Sequence, residues 1–167
     1  MPGKSEGIIT MKVQRPDPQT EALLKRLAEK GAPPVTELTP VEARAARNPL
    51  FVELGGPPEE VSKVRNQSIP GPGGELPIRI YTPQGSGDFP ILVYFHGGGW
   101  VIGNLDTHDC LCRALANEAS CIVVAVDYGL SPENKFPAPL EDGYAATRWV
   151  AEHTGEIQGD STRIAVG

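Results

Sequence analysis

Apolar positions recur at helical spacing near the start of the chain and at strand spacing further on. Asp17-Pro18 is followed by Leu23, Leu24, Leu27 and Ala28, and then by Gly31. This is an N-cap, a proline at the first helical position, an amphipathic stripe and a glycine just past the end, so a short helix is predicted. Thr39-Pro40-Val41-Glu42 matches a capping box and opens a second helix to about Arg47, ended by Asn48-Pro49. The two helices form their own layer over residues 1–50, which reads either as a packing arm or as a lid over a pocket.

Residues 61–69 and 76–81 alternate moderately around Pro70-Gly71-Pro72-Gly73-Gly74, which predicts an antiparallel hairpin whose second strand Pro77 makes imperfect. From there the pattern becomes buried runs separated by helices. Residues 91–95 form a strand, 107–118 a helix capped by Asp106, 121–126 a strand, 138–153 a helix and 164–166 a strand. Strands apolar on both faces and alternating with helices imply parallel βαβ units covered on both sides. The fold class is therefore α/β, with residues 51–167 as a core entered through a hairpin.

Of 167 residues, 40% are hydrophobic and 22% charged, a globular balance; 19 Gly and 17 Pro concentrate in loops and turns. Fifteen Lys and Arg against 21 Asp and Glu leave a net charge of −6, with no basic run. Nucleic acid and membranes are thus excluded as expected partners, and a small molecule fits better. The first 13 residues lack the apolar core and cleavage pattern of a signal peptide, and three cysteines are too few for a disulfide framework, so a cytoplasmic location is expected. No metal is expected either. Cys110 and Cys112, two apart on a helix beside His108, would point about 200° from each other.

The chemistry concentrates at His96-Gly97-Gly98-Gly99-Trp100, directly after a strand. A dinucleotide fingerprint fails there because Ile102 stands where the third glycine belongs, and a P-loop fails because no G-K-[ST] follows. What remains is an oxyanion loop of the HGGG type, in which backbone N–H groups stabilise a tetrahedral intermediate, or a glycine-rich turn without chemistry. His96 lies too early in the chain for a general base in the order Ser, acid, His, and is read as loop support. His108 and His153 read as surface or cap residues.

The segment 96–103, then Asp106-Thr107-His108-Asp109, then Asp127-Tyr128-Gly129-Leu130-Ser131-Pro132-Glu133 with Phe136-Pro137 and Glu141-Asp142, resembles the hormone-sensitive-lipase-like branch of the α/β hydrolases, the bacterial family IV carboxylesterases. The resemblance implies a mostly parallel α/β-hydrolase sheet with helices on both faces. It implies that Gly98 and Gly99 donate to the oxyanion, that Gly97 completes the turn and that His96 and Trp100 support the loop. It implies leading helices that belong to a cap, substrates that are short- to medium-chain acyl esters, and no cofactor. The family usually has Arg where Gly129 stands, which puts a buried ion-pair network and local stability in question.

In that family a strand like residues 163–167 runs into a G-D-S-A-G nucleophile elbow. The expectation is therefore an N-terminal portion of a serine carboxylesterase, without the nucleophile, acid or base, inactive and poorly folded alone and leaving a sheet edge unpaired. Ser131 is followed by Pro132, which has no N–H to offer, Ser161 precedes a strand, and Ser86 lies in a connection, so no nucleophile is expected within the chain. Alternatives are a non-catalytic small-molecule-binding module, and a fragment that works with a complementing C-terminal chain; a homo-oligomer is also open.

Overall fold

A computed structural model describes residues 15–31 and 33–167. The chain divides into two compact units, residues 1–34 and 35–167. The first contains helix α1 (Pro18–Glu29), whose N-terminus is capped by Asp17 accepting from the N–H groups of Gln19 and Thr20. Gly31 follows at φ +62°, a left-handed conformation that glycine adopts at little cost.

The second unit begins with α2 (Pro40–Gly55). Its capping box forms as predicted: Thr39 Oγ1 accepts from the N–H of Glu42, and the Glu42 carboxylate accepts from the N–H of Thr39. The predicted stop at Asn48-Pro49 does not occur, and the helix runs through Pro49 to Gly55. Proline there removes one helical hydrogen bond, but packing of the last turn on the next helix outweighs the loss. Gly55 sits so close to Cys110 that an added Cβ would be 3.3 Å from its Sγ, and the Cys110 thiol reaches the carbonyl of Gly56.

A five-stranded sheet follows, comprising β1 (Lys63–Gly71), β2 (Gly74–Thr82), β3 (Phe89–Phe95), β4 (Ile122–Val126) and β5 (Gly159–Val166). Its order is β1-β2-β4-β3-β5. β1 and β2 form the predicted antiparallel hairpin, tighter than expected, with Gly71 opposite Gly74. β1 is an edge strand, where Pro70 is tolerated, and Pro77 lies just outside the register in which β2 meets β4. β3 is parallel to both β4 and β5. β5 starts earlier than expected, at Gly159, and is irregular before settling opposite Ile91, Leu92 and Val93.

Helices α3 (Asp109–Glu118) and α4 (Ala138–Glu152) cover opposite faces of the sheet. Ile122, Val124 and Val126 pack with Trp149 and Val150 of α4, whereas Val123 and Ala125 pack with Cys112 and Ala116 of α3. This accounts for the uninterrupted apolar run in β4, every residue of which is buried. Asp106 is not the cap of α3, which begins two residues later than predicted, after His108. Asn104 instead organises the preceding turn, its Oδ1 accepting from the N–H groups of Asp106 and Thr107, and this frees the Asp106 carboxylate to pair with Arg79 at 2.9 Å. Among the described residues no helix is long and apolar enough to cross a membrane.

Candidate active site

The glycine loop leaves β3 at its C-terminal end, the end at which parallel sheets present their ligand sites. His96 opens the loop and is buried. Its ring stacks on that of Tyr128 with centroids 4.5 Å apart, and on that of His108 at 5.5 Å. His96 Nδ1 lies 2.9 Å from the carbonyl of Gly97, which can only accept, so the ring proton sits on Nδ1. Burial, and then the neighbouring His96, hold the pKa of His108 below its ordinary value, so that ring is neutral at pH 7.

Beyond His96 the backbone turns through Gly98 at φ +137°, Gly99 at +62° and Trp100 at +59°. The Gly98 carbonyl accepts from the N–H groups of both Val101 and Ile102. A Cβ on Gly98 would lie 1.9 Å from the carbonyl oxygen of Ile102, so the loop closes on itself only because that residue is glycine. Trp100 holds a conformation unusual for a bulky residue, and its carbonyl accepts from the N–H of Ser131 at 2.7 Å.

These bonds divide the loop's donors. The N–H groups of Val101, Ile102 and Gly103 are satisfied, the last by Asn48 Oδ1 at 3.0 Å. Those of Gly97, Gly98, Gly99 and Trp100 donate to no acceptor among the described residues. Beside them opens a cleft of about 1040 Å³, lined by the loop, Tyr128, Ser131 and the apolar side chains of Phe136, Leu140 and Tyr144. Trp100 and Phe136 are 65% and 84% exposed at its rim.

The other sequence-derived candidates lie elsewhere. His153 stacks on Trp149 at the end of α4, and Ser161 is exposed on β5. Ser131 borders the cleft, but its hydroxyl donates to the carbonyl of Asn134 and not to a histidine. Cys112 is buried against the sheet while Cys110 reaches Gly56, and among the described residues no group of His, Cys, Asp or Glu is placed to hold a metal ion. At Gly129 the N–H donates to Asp142, and the Asn134 side chain occupies the space a larger residue would need.

Sequence reasoning missed the supports of the loop. The Tyr128 hydroxyl donates to the carbonyl of His96. Arg44, on α2, donates to the carbonyls of Val101 and Ser131 and forks onto both carboxylate oxygens of Glu133 at 2.8 and 2.7 Å. A second network joins Asp109 to Arg79, Arg113 and the buried Tyr81 hydroxyl, locking the start of α3 to the sheet. Asp109 stays below its ordinary pKa despite partial burial, because these donors favour the carboxylate. A polar residue inside an otherwise apolar strand, as Arg79 is in β2, was the available signal for this network.

Known proteins share this fold. A family model described as the alpha/beta hydrolase fold matches residues 92–167. The chain is 42% identical over 158 residues to carboxylesterase NlhH of Mycobacterium tuberculosis, covering 92% of this chain and 48% of that protein. It is also 46% identical over 128 residues to the carboxylic ester hydrolase LipN of the same organism, covering 76% of this chain and 34% of LipN. A hyperthermophilic esterase from the archaeon Pyrobaculum calidifontis superposes with a TM-score of 0.81 at 37% identity, covering 90% of this chain and 48% of that one.

The chain has the alpha/beta hydrolase fold.

Its relatives are carboxylesterases and esterases, and its motifs at residues 96–103 and 127–133 resemble those of the hormone-sensitive-lipase-like branch. It spans about half or less of the length of these relatives. Within that fold the glycine loop directly follows β3 of the five-stranded sheet.

Proposed function

We propose that this chain supplies the oxyanion-stabilising half of a carboxylesterase acting on short- to medium-chain acyl esters. The observation that carries the reading is the set of unsatisfied N–H groups on Gly98 and Gly99 beside a large apolar cleft. Four backbone donors left free in a loop whose next three N–H groups are all used are pre-organised for an anion, at no reorganisation cost when charge develops. The apolar side chains of Phe136, Leu140 and Tyr144 suit an acyl chain. The names of the carboxylesterase relatives support the same reading.

In this reaction a serine hydroxyl from outside residues 1–167 attacks the ester carbonyl carbon, and a histidine takes its proton. The carbonyl π electrons move to oxygen, where the Gly98 and Gly99 N–H groups hold them. Collapse expels the alcohol, which receives the proton from histidine, and water then releases the acid by the same steps. His96, Gly97 and Trp100 shape the loop, and no cofactor takes part.

The test mixes the chain with a second polypeptide carrying a G-x-S-x-G elbow, an acid and a histidine, and follows p-nitrophenyl acetate and butyrate hydrolysis. Turnover that exceeds that of the second polypeptide alone and disappears with Gly98→Ala in this chain supports the proposal. Turnover unaffected by Gly98→Ala, or none at all from a mixture shown to associate, overturns it.

A further inference from the structure

We infer that helix α2 is a clamp on the oxyanion loop, with Arg44 and Asn48 as positioning residues that fix where the donor N–H groups point. This rests on the oxyanion reading proposed above and adds to it the element that holds the loop in place.

The two side chains stand one helical turn apart, so they project from the same face of α2. Each grips the exit of the glycine loop from a different side. Arg44 Nε donates to the carbonyl of Val101 at 2.8 Å, and Asn48 Oδ1 accepts from the N–H of Gly103 at 3.0 Å. A donor and an acceptor on one rigid helix thus bracket residues 101–103, whose backbone conformation decides where Gly98 and Gly99 present their own N–H groups.

Arg44 also spans a second segment. Its Nη2 donates to the carbonyl of Ser131, and the guanidinium holds the Glu133 carboxylate in a bidentate pair. Ser131 is itself tied to the loop by donating its N–H to the carbonyl of Trp100. The guanidinium therefore closes a ring of contacts from α2 to Val101, through the loop to Trp100, across to Ser131 and back. The planar, five-donor guanidinium serves four acceptor oxygens from three nitrogens in fixed directions; an ammonium has only three N–H groups on a single nitrogen. Trp100, held at φ +59°, lies inside that ring, so the clamp also accounts for how an unfavourable backbone conformation is maintained.

A helix that only covered the cleft as a lid would have no need of hydrogen bonds to the loop's backbone. These bonds make α2 part of the loop's foundation.

The experiment compares Arg44→Ala, Arg44→Lys and Asn48→Ala with the unchanged chain, using amide hydrogen exchange resolved by peptide and ester turnover in the two-polypeptide assay. For Arg44→Ala, exchange across residues 97–103 should rise about 10-fold or more, as loss of a charge-assisted hydrogen bond predicts, while β3 and β4 keep their protection. Turnover should fall about 10-fold in kcat with KM little changed, because the donors act on the transition state. Arg44→Lys should recover part of both losses, and Asn48→Ala should loosen the same peptide without touching the Glu133 pair.

Exchange that rises equally in β3 and β4 reduces Arg44 to a general stabiliser and overturns the clamp. So does a loop whose exchange and kcat are both unmoved, and in that case loss of turnover with Gly98→Ala leaves the oxyanion reading standing. A loosened loop with unaltered kcat removes the oxyanion reading instead, and with it the positioning role.

Discussion

The Tyr128 hydroxyl donates to the carbonyl oxygen of His96 while its ring lies 4.5 Å from the imidazole, inclined by only 17°. One side chain from the segment after β4 thus holds both the backbone and the ring of the residue that opens the glycine loop. Tyr128→Phe keeps the stacking and deletes the hydrogen bond, leaving a buried carbonyl unpaired, at a cost of about 1–3 kcal/mol. Urea denaturation followed by circular dichroism measures it; an unchanged midpoint would show that this bond contributes nothing.

The three adjacent glycines differ in what they require. A Cβ on Gly97 would meet open space, and its φ is not positive, so Gly97→Ala should be neutral or stabilise by up to about 1 kcal/mol through the unfolded state. Gly98→Ala drives a methyl into the Ile102 carbonyl at 1.9 Å and should cost more than about 2 kcal/mol. Thermal melts of the two variants should therefore move apart, and equal melting temperatures would contradict the loop's geometry.

The hydrogen bonds from Arg44 hold Glu133 at a pKa of about 2, well below its usual value. A depressed carboxylate contributes stability that is fully present above the unfolded-state value near 4.5 and is lost as pH falls through about 2. The Glu133 carboxyl carbon should therefore titrate in that low range by NMR. In Arg44→Ala its midpoint should return toward the ordinary glutamate position.

Burial raises the Cys112 thiol to a pKa of about 12. At pH 8 only about one molecule in 10,000 then carries the thiolate. In the folded chain Cys112 should resist an aromatic disulfide reagent and should react promptly once urea is added, as mass spectrometry of labelled peptides would record. Prompt labelling without denaturant would mean that α3 does not pack on the sheet as described.

The family resemblance of the sequence places arginine where Gly129 stands, yet introducing that residue should not help. A Cβ there would sit 2.7 Å from Asn134 Cγ, so Gly129→Arg should destabilise the chain by about 1–3 kcal/mol. Pairing it with Asn134→Gly, which removes the Asn134 Cβ at 2.8 Å as well as Cγ, should recover much of the loss, and calorimetry of the single and double variants would measure the coupling.

The elements that announced themselves were those with a local cause. Thr39 and Glu42 are three residues apart and form their capping box from that spacing alone. β4 was legible because its apolar run reflects two covered faces. The errors came where distant partners overrode local preference. Asn48-Pro49 reads as a helix end, but Asn48 is engaged by Gly103 and the turn after Pro49 is packed against Cys110. Asp106 has the composition of a cap, but Arg79 takes its carboxylate.

The sequence by itself determined the α/β alternation, the hairpin that leads into it and the glycine loop after β3, because hydrophobic period, turn chemistry and the absence of a Cβ act over a few residues. Only the tertiary structure decided which loop N–H groups remain free and what holds them there. Arg44 is 57 residues from Val101 and 89 from Glu133, and pairing at such separations leaves no periodic trace in the chain. The carbonyls and N–H groups around those donors are engaged by Val101, Ile102, Ser131, Arg44 and Asn48, which is a property of the folded arrangement and of no single motif.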